Sequence, residues 1–274
     1  MNMLDNIAPK SEEQNQHRPA MDLNTTDLNT MDLDSSETSL DHANRIRRNV
    51  FLRNIYLENY EFFRSEIEQG PKGALIELGS GGGFIDEIIP EVITSDLVPL
   101  PTTKIAFSGL ELPFAGNSVA AIMMMNVLHH LQDVALFLAE ADRCLCVGGK
   151  IIMIEPAHTI FSRLIYTFLH HEPFQPKQKG WKLPSGGRLS MSNQALPWIV
   201  FQRDIDEFYS RFPNFRLTRY ENFMPFRYLL SGGVSRNAFL PVWAYPIVML
   251  SEKVLCPFNN HIGLFVKIVV EKRA

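Results

Sequence analysis

Cysteine is scarce in this chain. It occurs three times in 274 residues, as Cys144, Cys146 and Cys256. An odd count with no C-x-x-C pair excludes a disulfide framework and reads as reduced thiols in a cytoplasmic protein. Long apolar runs are missing too: none reaches the roughly 18 residues a membrane-spanning helix needs. The N-terminus lacks the basic flank and apolar stretch of a secretory signal. No basic stripe forms anywhere. Nine acids in residues 1–43 meet only Lys10 and Arg18, and the remainder is close to neutral, which leaves nucleic acid without support as a partner. Two phosphate-holding motifs are absent as well. G-x-x-x-x-G-K-[ST] does not occur, and G-x-G-x-x-G fails because Phe84 or Asp86 stands where a small residue is required. A nicotinamide oxidoreductase is therefore disfavoured.

What the chain does have is Leu75-Ile-Glu-Leu-Gly-Ser-Gly-Gly-Gly83. A short apolar strand carrying Glu77 runs into glycines at alternate positions, Gly79, Gly81 and Gly83, and a helix-like segment, Phe84 to Ile89, follows. Glycine lets backbone N–H groups approach a ligand closely, so this is a cofactor cradle. An acid inside the loop repels a pyrophosphate and suits a ligand with a cationic amino group. A second acid, Asp96, closes the next apolar run, near the spacing at which an acid meets a ribose.

The cradle and the blocks after it resemble the class I S-adenosylmethionine-dependent methyltransferases, specifically the type 11 methyltransferase domain. The blocks are Leu112-Pro113-Phe114, Asn126-Val127-Leu128-His129-His130-Leu131, Arg143-Cys-Leu-Cys-Val-Gly-Gly-Lys150 and Ile154-Glu155-Pro156, in family order. The resemblance implies S-adenosyl-L-methionine as cofactor and a Rossmann-like α/β fold. That fold is a seven-stranded, mostly parallel sheet with helical insertions after strands 5 and 6. It also implies that Glu77, Gly79, Ser80, Gly81 and Gly83 hold the methionine end, and that Asp96 and Leu97 receive the ribose. Gly109 and Leu110 fall where the family contacts adenine, and Asn126 and Val127 line the cofactor from the fourth strand. Ser108 stands where the family carries an acid before the adenine contact, and Ala120 where it carries Asp. The Asn-Pro-Pro-aromatic motif of nucleic-acid methylation is absent.

Along the chain, residues 1–41 read as a disordered acidic and polar tail with a drifting Met-Asp-Leu-Asn repeat. Residues 42–70 read as an amphipathic helical cap ending at Gly70-Pro71; Tyr56 and Tyr60 on it either pack on the sheet or reach substrate. Residues 71–274 form the methyltransferase domain. Strands are expected near 74–78, 92–96, 104–107, 119–125, 149–155, 216–220 and 262–270, with helices near 84–89, 132–145, 159–170 and 203–212. The all-apolar run Ala120 to Met125 reads as a central strand whose methionines are core.

Insertions 157–214 and 224–260 form the acceptor side. The first holds a loop, Pro173 to Pro197, rich in Pro, Gly, Lys and Ser. The second holds the apolar stretch Ala238 to Leu250, which forms a hydrophobic substrate wall, rests on a membrane surface as a peripheral contact, or is buried core.

Two histidine pairs are the candidates for acid–base work, His129-His130 and His170-His171-Glu172. His130 and His171 are the catalytic choices. No metal is expected, because adjacent ligands on one helix point apart. The function these features imply is methyl transfer to a small-molecule or lipid- or glycan-linked acceptor. The alternative is a non-catalytic cofactor-binding module that docks partners. The acceptor, the attacking atom and the oligomeric state are not encoded in any motif.

Overall fold

The computed structural model describes residues 36–184, 191–234 and 236–273, which belong to one unit spanning Asp32–Ala274. Most of the expected tail therefore lies outside the described residues, as do residues 185–190 of the long loop.

Seven strands build the sheet: β1 (Ala74–Leu78), β2 (Ile93–Asp96), β3 (Ile105–Ala106), β4 (Val119–Met125), β5 (Leu145–Pro156), β6 (Phe215–Phe223) and β7 (Phe265–Lys272). Their order is β3-β2-β1-β4-β5-β7-β6. The pairs β3/β2, β2/β1, β1/β4 and β4/β5 are parallel, and β7 runs antiparallel to both β5 and β6. The chain begins at β1, builds outward to β3, then returns to place β4 on the other side of β1. The order reverses at that point, where open parallel sheets bind ligands beyond the carboxyl ends of their strands.

Both faces of the sheet are covered, as the apolar run of β4 requires. Ile122 and Met124 face a layer made by α3 (Val134–Cys144) and the segment Ala195–Phe201, whereas Ala121 and Met123 face the N-terminal helices. The methionines are core, as expected. Two helices stand at the N-terminus, α1 (Ser36–Arg48) and α2 (Val50–Ile67), joined at Asn49, whose side chain accepts from Leu52 N at 3.1 Å to cap α2. Helix thus begins at Ser36, inside the stretch read as tail.

The expected helix at 84–89 does not form. Only the 3-10 turn Ile85–Glu87 joins β1 to β2, and Pro90 stops any extension. Phe84, Ile85 and Ile89 instead pack with Phe51, Leu52, Ile55 and Phe63 of α2, so α2 covers the face a crossover helix would occupy. The remaining helices lie in the two insertions. After β5 come α4 (Ile160–Phe168), the single turn α5 (Leu196–Trp198), a π-helical turn (Ile199–Arg203) and α6 (Ile205–Arg211). After β6 come α7 (Arg227–Ser231), α8 (Tyr245–Val254) and α9 (Asn259–Ile262).

In the loop Pro173 to Pro197, read as rich in Pro, Gly, Lys and Ser, Ser192 to Leu196 all lie buried. No helix among the described residues is long and apolar enough to cross a membrane.

Candidate functional site

Acids mark the carboxyl ends of three strands. Glu77 lies next to last on β1, Asp96 ends β2 and Glu155 lies next to last on β5; all three are buried. A buried carboxylate is costly without partners, so what each one meets is informative.

Glu155 is fully satisfied. Its Oε1 accepts from Val127 N and Leu128 N, both at 2.8 Å, and its Oε2 lies 2.6 Å from His129 Nδ1. It therefore holds the turn after β4 in place. That turn presses Val127 onto the glycine loop: a Cβ added to Gly79 would lie 2.6 Å from Val127 Cγ2. Gly79 also has φ +64°, a left-handed conformation that glycine adopts freely.

Asp96 braces the same loop from the other side. Its Oδ2 accepts from Gly81 N at 3.1 Å and its Oδ1 from Leu97 N at 2.8 Å. Thr102 Oγ1 donates to Gly81 O at 2.6 Å, and Ser95 Oγ to Glu77 O at 2.8 Å.

Glu77 differs. Its Oε2 is buried and has no hydrogen-bond partner among the described residues. Burial pushes its carboxyl up to about 8; the Ser80 hydroxyl opposes that shift, and the nearby Asp86 and Asp96 charges add to it. An orphaned, buried carboxyl above a loop of glycines fits a ligand that brings a positive charge.

Helices α1 and α2 close over the cradle. A Cβ on Gly82 would lie 2.4 Å from Ala43 N of α1, and one on Gly83 would lie 2.4 Å from Tyr60 Oη of α2. Tyr60 Oη accepts from Phe84 N at 3.1 Å. Beside the cradle, a cavity of about 10 Å³ is lined by Tyr56, Asn59, Asn126, Met224 and Tyr228 among others. That is about the room of one water. Asn126 (φ +57°) and Met224 (φ +51°) both hold left-handed backbones. Asparagine tolerates that region, but methionine there is an outlier, and strain of this kind collects at functional sites. Burial also raises the phenols of Tyr56 and Tyr228, so both stay neutral donors.

The expected adenine contacts, Gly109 and Leu110, lie in the turn after β3, where a Cβ on Gly109 would sit 3.5 Å from Leu78 Cδ1. Glu140 and Arg143 of α3 fix the following loop, Glu140 through Leu112 N and Arg143 through Leu112 O and Phe114 O.

The two histidine pairs, far apart in sequence, meet. His170, His171 and Glu172 lie past the end of α4 rather than on it, so the divergence of adjacent helical ligands does not apply to them. Glu172 sits 3.3 Å from His129 Nε2, 3.7 Å from His130 Nε2 and 3.7 Å from His171 Nε2. Burial lowers the His129 imidazole, but the charge and hydrogen bond of Glu155, joined by Glu172, outweigh it and lift the ring to about 9. Burial and the neighbouring His129 charge drop His130 to about 4. Burial raises the Glu172 carboxyl, yet its contacts with His129 and the other imidazoles hold it well below the usual carboxylate range.

Glu155, Asn59 and Tyr228 have no assigned role from sequence alone, and Glu172 was read with His170 and His171 but not with His129 and His130. Glu155 had a signal, the same acid-at-strand-end pattern as Glu77 and Asp96. The others depend on where the helices and loops return in space.

The strand order with its reversed seventh strand, and a glycine cradle flanked by two acids at the switch point, define a Rossmann-like class I methyltransferase fold. Residues 76–153 match the family model described as a methyltransferase domain. No curated protein matches the chain. Among solved structures, a SAM-dependent methyltransferase from Archaeoglobus fulgidus is 12% identical, with a TM-score of 0.47, covering 84% of this chain and 94% of its own. Geranyl diphosphate C-methyltransferase from Streptomyces coelicolor is also 12% identical, with a TM-score of 0.45, covering 81% and 82%.

Proposed function

We propose that this chain transfers the methyl group of S-adenosylmethionine to a small-molecule or lipid- or glycan-linked acceptor. The observation that carries the reading is the orphaned Glu77 carboxylate above the left-handed glycines, with Asp96 one strand away. Glu77 is the partner for the amino group of the cofactor, the Gly79–Gly81 backbone takes its carboxylate end, and Asp96 takes its ribose. The cofactor supplies an activated sulfonium methyl, so the protein's task is alignment, which is worth about 7–11 kcal/mol in well-oriented reactions.

Tyr56, Asn126 and Tyr228 border the space next to the cradle; Ile55, Met125, Met224 and Phe265 give that space an apolar lining. This lining supports an acceptor that is partly hydrophobic. In the metal-free chain, His130 and His171 are the candidates to take a proton from the acceptor, since both face Glu172 at the same end of the sheet. The exposed Trp243, Ile247, Leu250 and Val254 on and before α8 support a peripheral contact with a membrane by an otherwise cytoplasmic enzyme.

A second reading is favoured by one feature: α1 sits on Gly82 and the neighbouring cavity is small. On that reading the chain is a non-catalytic S-adenosylmethionine-binding module. Incubation of the full chain with methyl-labelled S-adenosylmethionine and fractionated cell extract separates the two. Label in a small-molecule or lipid fraction supports the enzyme, and tight cofactor binding without transfer supports the module.

A further inference from the structure

Beside the cradle lies a second constellation that cofactor binding does not use. His129 Nδ1 is held 2.6 Å from Glu155 Oε2, and His130 Nδ1 lies 3.4 Å from Met191 O. Each ring is thus anchored through Nδ1, one by a carboxylate and one by a backbone carbonyl, and each turns Nε2 toward the Glu172 carboxylate. Such anchoring of the far ring nitrogen is the usual outer shell of a metal-bound histidine, because it sets the tautomer and the ring direction.

The spacing fits the same purpose. His129 Nε2 is 3.3 Å from Glu172 Oε2 and His130 Nε2 is 3.7 Å from Glu172 Oε1. Ligand atoms of the three residues all lie within 4.8 Å of one another. Bonds of about 2.0–2.1 Å in a tetrahedral arrangement separate ligand atoms by about 3.3–3.4 Å. These separations are therefore long for charged hydrogen bonds and near the edge length of a metal tetrahedron.

The surroundings give an independent sign. Gln194, buried to 2% exposure, donates from Nε2 to Glu172 Oε2 at 3.0 Å and lies 2.7 Å from His170 Nδ1. Its Oε1, on the same amide, is buried with no partner, and so is the hydroxyl of Ser192 two residues earlier. The buried His129, the half-buried His130 and Glu172, and the buried Glu155 behind them, with an unsatisfied amide oxygen on the adjoining Gln194, are a donor set for a borderline-soft divalent ion.

We propose that His129 Nε2, His130 Nε2 and the Glu172 carboxylate bind a divalent transition-metal ion of the zinc type, with Glu155 as the positioning residue behind His129. Three protein ligands leave the fourth position open to water or to an oxygen or thiol ligand. The site stands whether or not the chain transfers methyl groups.

The test uses untagged full-length protein, stripped with chelator and re-equilibrated with zinc. Metal content is read by mass spectrometry and affinity by calorimetry, and cobalt replaces zinc for the visible spectrum. The expected result is about one zinc per chain and the intense visible bands of a low-coordinate cobalt centre. Glu172→Gln and His130→Ala each weaken binding by at least about 100-fold, and the exposed His261→Ala binds as the parent does. Circular dichroism of the stripped variants checks folding; the near-isosteric Glu172→Gln carries the test if His130→Ala fails it. The proposal is overturned if the parent retains no stoichiometric zinc, which would leave His129 as an imidazolium bridging two carboxylates. It is equally overturned if folded Glu172→Gln binds zinc as tightly as the parent.

Discussion

At the scale of single residues, Glu77 is the group whose state most depends on the ligand. Burial raises its carboxyl from an ordinary 4.5 to about 8, and its Oε2 has no hydrogen-bond partner among the described residues. The folded value lies above the unfolded one, so the neutral acid is the form the fold prefers. Its contribution to stability is complete below about pH 4.5 and is lost as the pH rises through about 8. Glu77→Gln removes that dependence. Thermal unfolding without ligand should show the variant equal to the parent near about pH 4, and increasingly more stable than it toward about pH 9. The same variant should bind cofactor more weakly, because a neutral amide does not answer an ammonium.

Glu77, the glycines and Asp96 were legible in the sequence, since an acid at the end of an apolar run followed by glycine is a local pattern. Glu172 was not. Its neighbours His129 and His130 are some forty residues away in the chain, and they meet only because α4 stops at Phe168 and the next residues turn back across the sheet end.

At the scale of elements, the expected crossover helix between β1 and β2 is replaced by α2. The local apolar pattern of Phe84, Ile85 and Ile89 was read as a helix face. It serves equally well as a patch for α2 to sit on, and Pro90 decides between the two. Strands β1 and β4 fell on their expected residues because both lie inside the sheet, β4 as an unbroken apolar run and β1 as one interrupted only by Glu77. The start of α1 was not legible, because Ser36 to Asp41 is polar and has no core stripe.

The seat of α1 on the glycine loop gives a direct test. Gly82→Ala places a methyl 2.4 Å from Ala43 N, a backbone atom that yields only if α1 moves. The variant should unfold at lower temperature by about 1–3 kcal/mol of stability. Hydrogen exchange should rise over residues 36–48 and stay unchanged in β4 and β5. Unchanged exchange in α1 would show that the helix does not rest there.

At the scale of the molecule, one buried arginine ties the N-terminal cap to the second insertion. Arg227 of α7 contacts Glu252 of α8 through Nε, and reaches Glu58 of α2 at 2.6 Å and Tyr245 Oη at 3.1 Å. Glu252 also accepts from Phe226 N and Arg227 N. Removing one partner of a buried pair costs about 3–5 kcal/mol, and the half-exposed Glu58 places this case near the lower end. Arg227→Met should cost about 3 kcal/mol in denaturant unfolding. Arg227→Met with Glu252→Gln should recover part of that loss, because the one carboxylate left unpaired, Glu58, is half-exposed to water. Full additivity of the two substitutions would contradict the pairing. This link was not legible beforehand: Glu58, Arg227 and Glu252 belong to three separated segments with no shared motif.

The proposed function rests on the cradle between β1 and β4 receiving a donor that carries positive charge. Calorimetric titration of the folded full chain with S-adenosylhomocysteine tests that claim most directly. The account predicts uptake of about one molecule per chain. Asp96→Ala should weaken it by one to two powers of ten, the worth of a hydrogen bond or two to a charged group at about 1.5–3 kcal/mol each. No uptake by the folded parent chain, or binding unaltered in Asp96→Ala, would contradict it.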